Sequence, residues 1–190
     1  DPADFRVGTG GSKWSDVIKS FVDNGGGLLY MPGPKHAGRF MTDEATSGIS
    51  DVLPVRFDEA GNLLKDYLSE KYNEPFSLDV VKANLDHPLL RFDADDAKTA
   101  QRWNAMPPMF WSFPALEEKR GSKTLLSRTT GKGDRPLLVV GPPTTGRTVY
   151  AGLNGTWRWR RLGKDGEFFN RFWIQSVRYL VEGRLMGSQQ

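Results

Sequence analysis

The chain of 190 residues contains no cysteine. That absence removes disulfides, thiolate metal sites and cysteine nucleophiles together, and it accords with an oxidising compartment without requiring one. Histidine is nearly missing as well: His36 and His87 are the only two, which excludes a multi-histidine metal site. No apolar run approaches the roughly 20 residues that span a bilayer. Charge of one sign is lacking too, since 26 basic and 23 acidic residues leave +3, a surplus too small and dispersed to point to nucleic acid. The acidic residues lack metal-ligand spacing. Neither Gly131-Lys132-Gly133 nor the stretch from Gly141 to Gly146 has the spacing, or the following helix, of a phosphate loop, and both read as hairpin turns. The sequence calls for no metal and no cofactor.

Aromatic residues are plentiful, with 6 Trp and 11 Phe, and bulky rings can fill a core despite a hydrophobic fraction of 38%. The length suits one domain over residues 1–190. A helix is expected from Ser12 to Asn24, where Trp14, Val17, Ile18, Phe21 and Val22 share a face. Gly25-Gly26-Gly27 then leads into the apolar run Leu28–Met31, which ends at Pro32-Gly33-Pro34 and reads as a buried parallel strand. Asp51–Phe57 looks extended, Phe76–Val81 alternates like a strand, and Asn62–Tyr72 fits a short helix or a surface excursion. A helix over Asp95–Asn104 is followed by Met106–Trp111, which its two prolines hold extended. Three strands near 123–128, 136–140 and 148–153 are separated by short turns, so they should be antiparallel neighbours. Glu167–Glu182 reads as a closing helix ended by Gly183.

Three groups of segments carry a resemblance. The first is Phe21 to Gly33 with Asp51-Val52-Leu53-Pro54-Val55. The second is His87-Pro88-Leu89-Leu90 with Trp103 to Pro108. The third is Gly146 to Tyr150, Thr156-Trp157-Arg158-Trp159-Arg160 and the helix Arg171 to Leu180. In this order they resemble the class I glutamine-amidotransferase-like domains of large bacterial membrane-anchored proteins, often found beside von Willebrand factor A-type domains. The resemblance implies a flavodoxin-like α/β fold: a mixed, mostly parallel sheet flanked by helices, with an antiparallel C-terminal meander and a closing helix. It also implies a domain excised from a larger protein and lacking its first strand, a place at the cell envelope or periplasmic side, and partners among other proteins or other domains of the same polypeptide.

Active members of that superfamily place a cysteine on a sharp turn after a central strand and a His-Pro-Glu segment after a later one. Here Leu28–Met31 is followed by Pro32-Gly33-Pro34, and the strand near 148–153 by Asn154-Gly155-Thr156-Trp157. Neither stretch holds the required thiol, histidine or glutamate, so no catalytic residue is assigned and a non-catalytic binding or scaffolding module is expected.

Two alternatives remain open. A hydrolase or transferase could use the ancestral cleft with His36, Asn154 or a hydroxyl among Thr42, Thr46, Ser47 and Ser50, although no nucleophile elbow is visible. His36 reads equally as an exposed loop histidine. The other alternative is a module for glycans or anionic ligands centred on Trp157, Arg158 and Arg160. As an extended segment, Trp157–Arg161 would put tryptophans on one side and arginines on the other, either as a binding surface or with both rings in the core. Exposure of both tryptophans separates these readings. Arg171 and Arg178 read as solvated helix arginines, and His87-Pro88 as a turn.

Overall fold

The computed structural model describes residues 6–7, 12–33, 47–57, 74–113, 115–131, 133–141, 146–162 and 164–187. In chain order its strands and helices are β1 (Arg6–Val7), β2 (Ser12–Lys13), α1 (Trp14–Asp23), β3 (Gly27–Tyr30), α2 (Ser47–Val52), β4 (Val55–Arg56), β5 (Asp79–Val80), α3 (Asp96–Asn104), β6 (Glu117–Glu118), β7 (Lys123–Thr130), β8 (Gly133–Gly141), β9 (Arg147–Ala151) and α4 (Glu167–Gly187). The expected excursion over Asn62–Tyr72 lies outside the described residues.

The main sheet has five strands in the order β3-β9-β8-β7-β5. β3 and β9 run parallel in the register Leu28↔Thr148 and Tyr30↔Tyr150, whereas β9–β8, β8–β7 and β7–β5 are antiparallel. The α/β class, the mixed sheet flanked by helices, the antiparallel meander and the closing helix expected from the sequence are all present. The balance of the sheet differs: one of its four pairings is parallel, so among the described residues it is mostly antiparallel rather than mostly parallel. The cause is local. The turns joining β7 to β8 and β8 to β9 are too short for a crossover and can only return the chain beside itself.

Alternation along the central strands explains why both faces are covered. Leu29, Leu138, Val140, Val149 and Ala151 join the core under α4 together with Trp103, Trp159 and Phe172. Leu28, Tyr30, Val139 and Tyr150 project to the other face, against Trp14 and Ile18 of α1 and Ile49 of α2. Gly27 lets α4 approach β3 closely, since a Cβ there would stand 2.6 Å from the Leu180 carbonyl oxygen. Asp95 caps α3, its carboxylate accepting from the amides of Ala97 at 2.7 Å and Lys98 at 3.3 Å.

Five local expectations need correction. The helix expected from Ser12 starts at Trp14, with Ser12 and Lys13 in β2, and the strand expected over Phe76–Val81 is confined to Asp79–Val80, Phe76 making an isolated bridge to Met109. Asp51–Phe57 is not extended throughout: Asp51 and Val52 close α2, and the chain becomes a strand only at Val55. Gly183 does not end the closing helix, which continues to Gly187. Trp157–Arg161 is not extended but lies in a 3₁₀ helix over Thr156–Arg161, where residues three apart share a side. Thr156 and Trp159 are therefore both buried, while Trp157 and Arg160 face solvent.

Candidate functional site

A parallel strand pair aims its carboxyl ends at the place where α/β sheets bind ligands. Among the described residues, aromatic side chains pack on one face of the sheet at these strand ends. Tyr30 and Tyr150 stand at paired positions with ring centroids 6.3 Å apart. The Tyr150 hydroxyl donates to the Phe113 carbonyl oxygen, and Phe57 meets the Tyr150 ring edge-on at 5.4 Å. Beyond Ala151 the Phe113 amide donates to the Gly152 carbonyl at 2.6 Å, and Gly152 is packed so tightly that a Cβ would collide with the Phe113 carbonyl oxygen. Pro32, at the expected elbow, is buried. Burial raises the Tyr30 phenol above its ordinary pKa, so that hydroxyl stays protonated at neutral pH. Among the described residues these strand ends hold no thiol and no histidine.

The remaining candidates divide. His36, Thr42 and Thr46 lie outside the described residues, as does the Ser47 side chain. Ser50 sits in α2, where its carbonyl oxygen accepts from the Lys119 ammonium at 2.8 Å. His87 makes the corner expected of His87-Pro88: its Nδ1 accepts the Leu89 amide at 3.2 Å and its ring meets Tyr179 edge-on at 5.2 Å. Burial first, and then the nearby Lys123 charge, pulls His87 down to about 4, so it is neutral at physiological pH. Among the described residues no group of three or more acidic or histidine side chains could hold a metal ion, and no helix is long and apolar enough to cross a membrane.

Past β9 the chain exposes Asn154, turns at Gly155, and enters the 3₁₀ helix. The two tryptophans there have opposite fates. Trp159 is fully buried, edge-on to Trp103 at 5.8 Å and to Phe172 at 5.2 Å. Trp157 is 52% exposed. The Arg158 guanidinium lies 4.5 Å from the Trp157 ring centroid and 4.8 Å from that of Phe110, itself 36% exposed. Arg160 turns to a different ring, 4.8 Å from the Phe169 centroid.

The structure thus brings Trp157 and Arg158 together and sets Arg160 over another ring. It adds Phe110, which the sequence reading missed. Met109 bridges to Phe76 and is fully buried, and in this extended segment its neighbour Phe110 points outward, a placement that only the fold reveals.

The described residues form an α/β domain whose parallel strand ends carry packed tyrosine rings, with a cationic aromatic surface past β9. No protein-family model matches the chain, and a search of curated proteins finds no match. Solved structures share the fold. The cytoplasmic protein STM3548 from Salmonella typhimurium is 20% identical with a TM-score of 0.57, over 87% of this chain and 59% of that one. The cytoplasmic protein STM1381 from Salmonella typhimurium LT2 is 18% identical with a TM-score of 0.54, over 89% of this chain and 61% of that one. The chain therefore spans about three fifths of the length of the solved structures it matches.

Proposed function

We propose that this chain is a glutamine-amidotransferase-like domain that binds or scaffolds rather than catalyses. One observation supports the reading: among the described residues the parallel strand ends carry the packed rings of Tyr30, Tyr150 and Phe57 and no thiol or histidine. Cysteine-dependent glutamine hydrolysis has no nucleophile anywhere in this chain. The binding face of the module is the 3₁₀ helix, because Trp157 stands exposed beside Arg158 and Phe110. Burial of Trp159 narrows that face to one tryptophan of the two. An envelope location rests on the family resemblance alone, and the two solved neighbours, both named cytoplasmic proteins, lend it no support.

The test is a titration of L-glutamine into the chain, followed through the backbone amide signals of Tyr30 to Gly33 and Gly152 to Asn154. The signals should stay in place up to millimolar glutamine. A saturable shift confined to those residues would overturn the reading and return the strand ends to the role of a substrate site.

A further inference from the structure

We propose that the Phe110–Trp157–Arg158 surface docks an acidic polypeptide segment, Arg158 taking a carboxylate and Trp157 the apolar side chain beside it. The proposal rests on the reading of this domain as a binding module and names the chemistry of its partner.

Charge is the first argument. Positions 156–164 hold Arg158, Arg160, Arg161 and Lys164 and no acidic residue. Some arginines elsewhere have carboxylates close by, such as Arg56 with Glu117 at 3.0 Å and Arg147 with Glu182 at 2.9 Å. Arg158 has no carboxylate within ion-pair distance among the described residues. It is held instead by two ring faces. A ring attracts the guanidinium by about 0.5–1 kcal/mol at an exposed site without consuming its N–H donors. Those donors form a planar fork whose natural complement is a carboxylate.

The site is also shaped in advance. Gly155 has φ 127°, and a Cβ built there would stand 2.7 Å from an Arg158 Nη, so the backbone leaves room for the guanidinium where it lies. A side chain already held in one place loses less entropy on binding. Tryptophan and arginine are the residue types that carry most energy at protein interfaces, and Trp157 is half exposed. Nucleic acid uses arginine and aromatic platforms as well, but it needs a basic track following several phosphates. The cations here are Arg158, Arg160 and Arg161 of one short 3₁₀ helix and Lys164 of the next, followed by Asp165 and Glu167, in a chain of net charge +3.

The experiment is isothermal titration of the whole chain with a synthetic peptide of alternating glutamate and leucine. Its glutamine-for-glutamate counterpart and oligodeoxythymidine are titrated in parallel. The glutamate peptide should bind and the glutamine peptide should not. Arg158→Gln should weaken binding by about tenfold or more. Arg158→Lys, which keeps the charge but not the fork, should weaken it about threefold or more. Trp157→Ala should weaken it about tenfold while leaving the circular dichroism spectrum unchanged. Arg120→Gln removes an exposed charge from the opposite end of the sheet and should change nothing.

Absence of binding to the glutamate peptide overturns the proposal. So does an Arg120→Gln loss equal to that of Arg158→Gln, which would reduce the effect to net charge. Tighter binding of oligodeoxythymidine with the same variant pattern would overturn it in favour of nucleic acid. None of these results bears on the strand ends, where the glutamine titration reports separately.

Discussion

Gly155 and Arg158 are fitted to one another across the start of the 3₁₀ helix: the glycine's φ of 127° and its missing Cβ leave space for the Arg158 guanidinium over Trp157. Any other residue at 155 takes a backbone conformation that side chains disfavour and pushes the Arg158 guanidinium out of its place. Gly155→Ala should lower unfolding free energy by about 1–2 kcal/mol. Gly33→Ala is the control, because no atom of the described residues lies within 4 Å of a Cβ built there, and it should fall within about 0.5 kcal/mol of the parent. Urea denaturation of the two variants checks both values.

The two tryptophans of the same helix should separate cleanly under mutation. Trp159 is fully buried among Trp103 and Phe172, so Trp159→Ala opens a large cavity and should cost about 3–5 kcal/mol. Trp157 is half exposed, and Trp157→Ala should change stability by no more than about 0.5 kcal/mol. Equal losses from both would mean that Trp157 is a packing residue and the exposed surface is misassigned. Thermal unfolding of both variants decides it.

His87 makes stability depend on pH in a definite direction. Its folded pKa of about 4 lies below the ordinary 6.5, so the unfolded chain binds a proton first as pH falls. The stabilisation from a neutral His87 is fully present above 6.5, declines through the window from 6.5 towards 4, and is lost below it. The urea midpoint should therefore drop between pH 7.5 and pH 5, and His87→Gln should flatten that slope. An unchanged slope in the variant would contradict the buried, neutral assignment.

Much of the fold was legible because its signals are local. The aromatic stripe of α4 and the helical periodicity of α1 each follow from a few neighbouring residues, although Val17 and Phe21 of the expected α1 face stay exposed. The short turns around β8 announced antiparallel neighbours, and the structure bears that out. The family resemblance pulled the other way, towards a mostly parallel sheet, and there the turn lengths were the better guide. Trp157–Arg161 misled for a different reason. Alternating Trp and Arg looks like a strand, but Gly155 turns the chain and the Arg158 amide donates to the Gly155 carbonyl at 3.0 Å, starting a helix instead. Gly183 failed as a stop signal because glycine ends a helix only where the chain turns away, and α4 continues straight through it. The candidate site was half legible. Trp157 and Arg158 stood out as a pair, whereas the contribution of Phe110 depends on a contact across 48 residues of sequence that no local pattern reveals.

The most direct measurement of the account's central claim is ammonia release from L-glutamine by the purified chain over several hours at neutral pH. The account predicts release indistinguishable from buffer, because the chain holds no cysteine to attack the glutamine amide. Glutamine turnover that rises with protein concentration and disappears in a His36→Ala variant would contradict it, and would make the chain an enzyme built on a non-cysteine site.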